Sequence, residues 1–124
     1  MKDTAEALLS AFREEKLSVK EYAEQVIERV ALHRDLGAIL KFDEEKLVEA
    51  AVSADSRWRS GTARSLEGLM LGVKDNIDTI DLETTGGTSC LNSPAPANAR
   101  SLQSLLNNGA LVAAKTNLHE LAYG

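Results

Sequence analysis

The run Leu69-Met70-Leu71-Gly72-Val73-Lys74-Asp75-Asn76 decides the fold. Its first five residues carry no polar side chain, which predicts a strand over Leu69–Val73 buried on both faces, as in a parallel sheet. A lysine directly after such a strand stands at the carboxyl edge of the sheet, where α/β folds gather their ligands. Burial there disfavours the ammonium and lowers its pKa toward a value useful for proton transfer. Local pattern leaves a second reading open, in which Lys74 is a solvated sheet-edge lysine paired with Asp75.

Downstream, Ala110–Ala114 is again continuously apolar and predicts a second buried strand. Between the two lies a short helix, Ser101-Leu102-Gln103-Ser104-Leu105-Leu106, with Gly109 placed as its left-handed C′ residue. A strand–helix–strand unit crosses over right-handed and pairs its strands in parallel, so the fold class is α/β. The connection from Asn76 to Ala97, rich in Thr, Gly, Asp and Pro, is longer than compact domains use without a functional reason. Asn117 with Glu120 predicts the start of another helix, with Leu118, Leu121 and Ala122 as its first apolar residues.

Upstream, residues 1–60 read as a helical segment with one short strand, and 61–124 as the start of an α/β core. Asp3 with Glu6 predicts a capped helix whose apolar face is Leu8, Leu9 and Phe12. Ser18-Val19-Lys20-Glu21 fits a capping box, with Leu17 set to staple onto Tyr22. Val19, Tyr22, Ala23, Val26, Ile27 and Val30 then recur on one helical face until Asp35-Leu36-Gly37. Ala38-Ile39-Leu40 is the short strand. Asp43 caps a third helix to Ser60, with Leu47, Ala50, Ala51, Ala54 and Trp58 on its buried stripe. These stripes read as core packing, and 61–65 as a loop.

Four linked motifs carry a resemblance. They are Gly72-Val73-Lys74-Asp75-Asn76, then Thr84-Thr85-Gly86-Gly87-Thr88-Ser89, then Ala95-Pro96-Ala97-Asn98-Ala99, and finally Asn108-Gly109-Ala110 with Lys115-Thr116-Asn117 and Glu120. In this order and spacing the chain resembles the opening half of the amidase signature family, from about Leu66 to Gly124. Met70 stands where a proline is usual, Asn98 replaces an aspartate, Ala114 replaces a glycine, and Thr88-Ser89 stands where Gly-Ser is common. These departures bear on substrate subgroup and turn geometry, and Asn117-Leu118-His119-Glu120-Leu121 is most similar to the mandelamide and indoleacetamide hydrolase branch.

The resemblance implies an α/β/α sandwich, a small-molecule amide substrate and no cofactor. It makes Lys74 the lysine of a Ser–cis-Ser–Lys triad. The family's two serines and its Gly-Ser-rich oxyanion loop lie beyond the matched segment, and a lysine without its serines has no nucleophile to serve. The expectation is therefore the N-terminal part of an amide hydrolase, inactive as it stands. Asp75 and Asn76 are expected to fix the strand end by turn hydrogen bonds. Thr84, Thr85, Gly86, Gly87 and Ser89 are expected to shape the pocket rim, and Asn117 to open the last helix. Lys115 reads as an exposed strand-end lysine, with a second reading in which it lies near Lys74 across the parallel pair. An amidotransferase component that releases ammonia for tRNA-bound glutamate shares every motif quoted, and a non-catalytic assembly module is the third reading.

Composition narrows the classes. Aromatics are 4% of the 124 residues, too few for base-stacking platforms, and a net charge of −5 gives no basic footprint for nucleic acid or an anionic membrane. Cys90 is the sole cysteine, so no internal disulfide forms, and with no leader or membrane-length apolar run the expected location is cytoplasmic. His33, His119 and Cys90 have no ligand spacing, and Tyr123 stands where a zincin pattern from His119-Glu120 needs its second histidine, so no metal is expected. Two buried-type strands stopping one turn into a helix read as a truncated unit, expected to self-associate or to recruit a partner chain over its sheet edges.

Overall fold

Apolar spacing and caps set three helices: α1 (Ala5–Arg13), α2 (Val19–Leu32) and α3 (Glu44–Arg59). The computed structural model describes residues 4–91 and 93–123. Asp3, expected to cap α1, lies outside the described residues; Thr4 fills that role, its hydroxyl accepting from the Ala7 N–H at 3.2 Å. At α2 the capping box forms as the sequence predicts. Ser18 Oγ accepts from the Glu21 N–H at 3.0 Å, and Glu21 returns the bond to the Ser18 N–H at 2.9 Å. The same terminus has a partner that the local sequence does not reveal. Asp55, buried on α3, accepts from the Val19 N–H at 2.7 Å and the Lys20 N–H at 3.0 Å. A helix start leaves its first N–H groups without intrahelical partners, and here a carboxylate from a neighbouring helix takes two of them.

Leu8, Phe12, Val19, Ala23, Leu47, Ala51 and Ala54 close over one another and reach Ala113 on the sheet. Phe12 and Tyr22 meet edge-on, with centroids 6.0 Å apart. One core therefore joins the helical segment to the α/β segment.

Among the described residues the sheet has three strands: β1 (Ile39–Phe42), β2 (Met70–Lys74) and β3 (Leu111–Thr116), in the order β1-β3-β2. β2 and β3 pair in parallel around α4 (Arg100–Asn107), which gives the α/β class the two apolar runs predict. β1 adds antiparallel to the other edge of β3. The strands sit one or two residues later than hydrophobicity alone suggests, because the ladder takes in Lys74, Lys115 and Thr116. Only β3 is buried on both faces; Gly72 and Lys74 of β2 are exposed, against the expectation of a strand covered on both sides.

α4 ends as predicted. The Ala110 N–H donates to Leu105 O at 3.1 Å and the Gly109 N–H to Leu106 O at 2.9 Å, a Schellman closure that needs the positive φ of +101° at Gly109. A Cβ there would stand 2.8 Å from Glu67 Cα, so the bare glycine lets the turn press directly on the segment that leads into β2. The predicted helix after Asn117 does not form among the described residues. Leu121 and Ala122 have φ of 51° and 57°, a left-handed backbone that no α-helix continues, leaving a short 3-10 turn at Glu120–Ala122.

Glu67 is fully buried and is clasped by Arg64, with Nε at 2.7 Å and Nη2 at 3.0 Å, and by Arg57 at 3.3 Å. Its own carbonyl accepts from the Trp58 indole at 3.2 Å. Burial pushes the Glu67 carboxyl upward, but the hydrogen bonds from Arg64 and the charges of Arg64 and Arg57 outweigh it and hold the group below its ordinary value. A depressed carboxyl contributes stability above its unfolded pKa, about 4.3, and loses it as pH falls through the lower folded value. Glu67→Gln is thus expected to cost about 1–3 kcal/mol at neutral pH and to flatten the acid limb of the stability curve, read by urea unfolding between pH 2 and 7. Gly109→Ala, strained by both φ and contact, is expected to lower stability by about 1–3 kcal/mol in the same assay.

Candidate functional site

Lys74 is the last residue of β2, at the carboxyl end of the parallel pair. Its side chain is exposed, so the dry surroundings expected for it do not come from the described residues. It borders an open cleft of about 290 Å³ between β2 and α4, lined mainly by Leu71, Val73, Ile77, Leu102 and Leu105. A cleft of about 540 Å³ lies at the far end of α2 against β1 and contains neither Lys74 nor Lys115.

The buried lysine is the other one. Lys115 is 0% exposed, and so is Asp75. Lys115 Nζ donates to Ile77 O at 2.6 Å and to Thr84 Oγ1 at 2.7 Å, and faces Asp75 Oδ1 at 3.3 Å. The ammonium donates two hydrogen bonds, and the third contact is an ion pair, since Asp75 Oδ1 accepts no hydrogen bond among the described residues. Asp75 pairs with Lys115 and not, as one reading had it, with Lys74. Its Oδ2 accepts from the Thr85 N–H at 3.2 Å and from the Thr85 hydroxyl, and its backbone carbonyl accepts from the Gly86 N–H at 2.9 Å.

Strand register explains why Lys115 is neither exposed nor beside Lys74. Met70 and Leu71 pair with Leu111 and Val112, but Gly72 pairs with Ala114, so the ladder steps past Ala113. After this bulge Val73 is opposite Lys115, and Lys74 is opposite Thr116. Side chains alternate along a strand, so Lys115 shares the inner face with Val73 while Lys74 projects from the outer one. No hydrophobicity pattern marks that bulge. The only hint in the sequence is a lysine ending a run otherwise suited to full burial.

The remaining expected residues are dispersed around this pair. Asn76 and Ser89 are exposed, and Gly86 is buried beneath Leu121, whose N–H donates to Gly86 O at 2.6 Å. Gly87 has a positive φ of 73°, and its N–H donates to Thr85 Oγ1 at 3.2 Å. Asn117 does not cap a helix: its Nδ2 donates to Gly37 O at 2.9 Å, tying the end of β3 to the entry of β1. Asn98 anchors the long connection, accepting from the Ile80 N–H at 2.9 Å. Among the described residues no three His, Cys, Asp or Glu side chains gather as a metal site, and no helix is long and apolar enough to cross a membrane.

The family model for amidases matches residues 21–124. This chain belongs to the amidase family. Mandelamide hydrolase of Pseudomonas putida is 34% identical over 114 residues, 90% of this chain and 22% of that protein. A glutamyl-tRNA(Gln) amidotransferase component of Legionella pneumophila is 32% identical over 118 residues, 94% of this chain and 24% of its own length. The native peptide amidase of Stenotrophomonas maltophilia superposes with a TM-score of 0.89 at 27% identity, over 96% of this chain and 25% of that one. The chain thus spans about a quarter of the length of these amidase relatives.

Removing one partner of a buried ion pair leaves the other charge without compensation. Lys115→Ala is expected to destabilise the amidase segment by about 3–5 kcal/mol, and Lys74→Ala by less than about 0.5 kcal/mol, in parallel urea titrations.

Proposed function

We propose that this chain supplies the proton-carrying lysine of a Ser–cis-Ser–Lys amide hydrolase, and that Lys74 is that lysine. One observation carries the reading: Lys74 ends β2 at the carboxyl edge of a parallel pair, exposed and free of any side-chain partner among the described residues. In the proposed reaction the neutral amine takes a proton relayed from the nucleophilic serine through the bridging serine, then returns one to the departing amine. Backbone N–H groups hold the oxyanion. Coverage of only 22–24% of the curated relatives supports the reading that the 124-residue chain alone turns over no amide.

Similarity to mandelamide hydrolase favours small arylacetamides as the substrate class. The near-equal identity to the glutamyl-tRNA(Gln) amidotransferase supports a second reading, ammonia release within a multi-protein assembly. Co-purification with partner proteins separates the two. Incubation of the chain with mandelamide, indoleacetamide and glutamine is expected to release no ammonia. In a protein that also carries the triad serines, Lys74→Met is expected to lower kcat by about 10²–10⁴-fold. Full turnover in that variant refutes the role of Lys74.

A further inference from the structure

We infer that Asp75 and Lys115 are positioning residues for Lys74, a role that rests on the proposed reading of Lys74 as the proton carrier. As a source of stability a fully buried ion pair is a poor choice, since an apolar pair of similar volume serves as well or better. What an apolar pair does not supply is direction. Lys115 Nζ fastens Ile77 O and Thr84 Oγ1, while Asp75 Oδ2 fastens Thr85. The backbone of Asp75 is held on both sides, its N–H donating to Thr116 O at 3.0 Å and its carbonyl accepting from the Gly86 N–H at 2.9 Å. The Ile77 N–H closes the turn onto Lys74 O at 2.9 Å.

Every one of these contacts lies on the inner face or in the turn, and none touches the Lys74 side chain. The outward course of Lys74 is therefore set through its backbone, by the residue that follows it and by the turn that its own carbonyl accepts. The buried pair orients Lys74 from behind. It does so by locking the 84–86 segment against the ends of β2 and β3.

The test loosens these ties first with both charges in place, then with the ammonium removed. In the 124-residue chain the double variant Thr84→Val/Thr85→Val removes the hydroxyls that Lys115 and Asp75 hold, and Lys115→Met serves as the stronger companion. Amide hydrogen exchange at Asp75, Ile77, Thr85 and Gly86 is expected to accelerate about tenfold or more, with α2 and α3 amides changed less than about twofold. The Lys74 backbone amide resonance is expected to broaden or split relative to the parent. Unchanged exchange at the strand ends overturns the inference, and so does equal acceleration across α2 and α3, which a merely structural role predicts. If Lys115→Met does not fold, the threonine variant alone decides. In a protein carrying the triad serines the threonine variant is expected to lower kcat about tenfold with KM retained. Turnover that survives Lys74→Met there removes the catalytic reading and leaves the exchange result standing.

Discussion

A positive charge that water does not reach organises the end of this sheet. Lys115 is enclosed on every side, and an ammonium in that position persists only with a counter-charge and a full set of acceptors. Asp75 supplies the charge; Ile77 and Thr84 supply acceptors from the connection that follows β2. The requirement therefore reaches beyond the pair. It dictates where the chain turns after β2, and it gives a long, otherwise irregular connection a fixed point of attachment. One side chain of β3 thus fixes this connection at Ile77 and Thr84.

The helical side of the molecule solves similar problems with carboxylates. Asp55 takes the first N–H groups of α2, and Glu67 gathers Arg57 and Arg64 just before β2. In each case a buried acid sits where backbone or guanidinium donors converge, those of Val19, Lys20 and Arg57 coming from another element. Apolar packing among Leu8, Phe12, Val19, Leu47 and Ala113 supplies the non-directional attraction, and these acids supply the registration. Gly68 and Gly109 complete the arrangement by bringing backbone where a Cβ would collide, with Val19 in one case and Glu67 in the other.

Much of this was legible from residue order. The capping box at Ser18 and Glu21, the cap at Asp43, the closure at Gly109 and the parallel pairing of the two apolar runs all rest on short-range chemistry that spacing exposes. The four linked motifs sufficed to indicate the family. What was not legible depends on distant partners. Asp55 looks like any polar residue on a helix until α2 arrives beside it. The helix expected after Asn117 gives way to left-handed backbone at Leu121 and Ala122, with the Leu121 N–H donated to Gly86 O, more than thirty residues earlier. Lys115 looks like a solvated strand end because nothing in the apolar run shows where the ladder will slip.

That slip at Ala113 has a consequence for how the two lysines evolve. Counting without it, Lys115 would face Lys74 directly, placing two ammonium groups as cross-strand neighbours on one surface. The single unmatched alanine separates the two, leaving Lys115 sequestered and Lys74 exposed. Any insertion or loss of one residue in β3 reverses that parity, so this strand tolerates changes of side chain far better than changes of length.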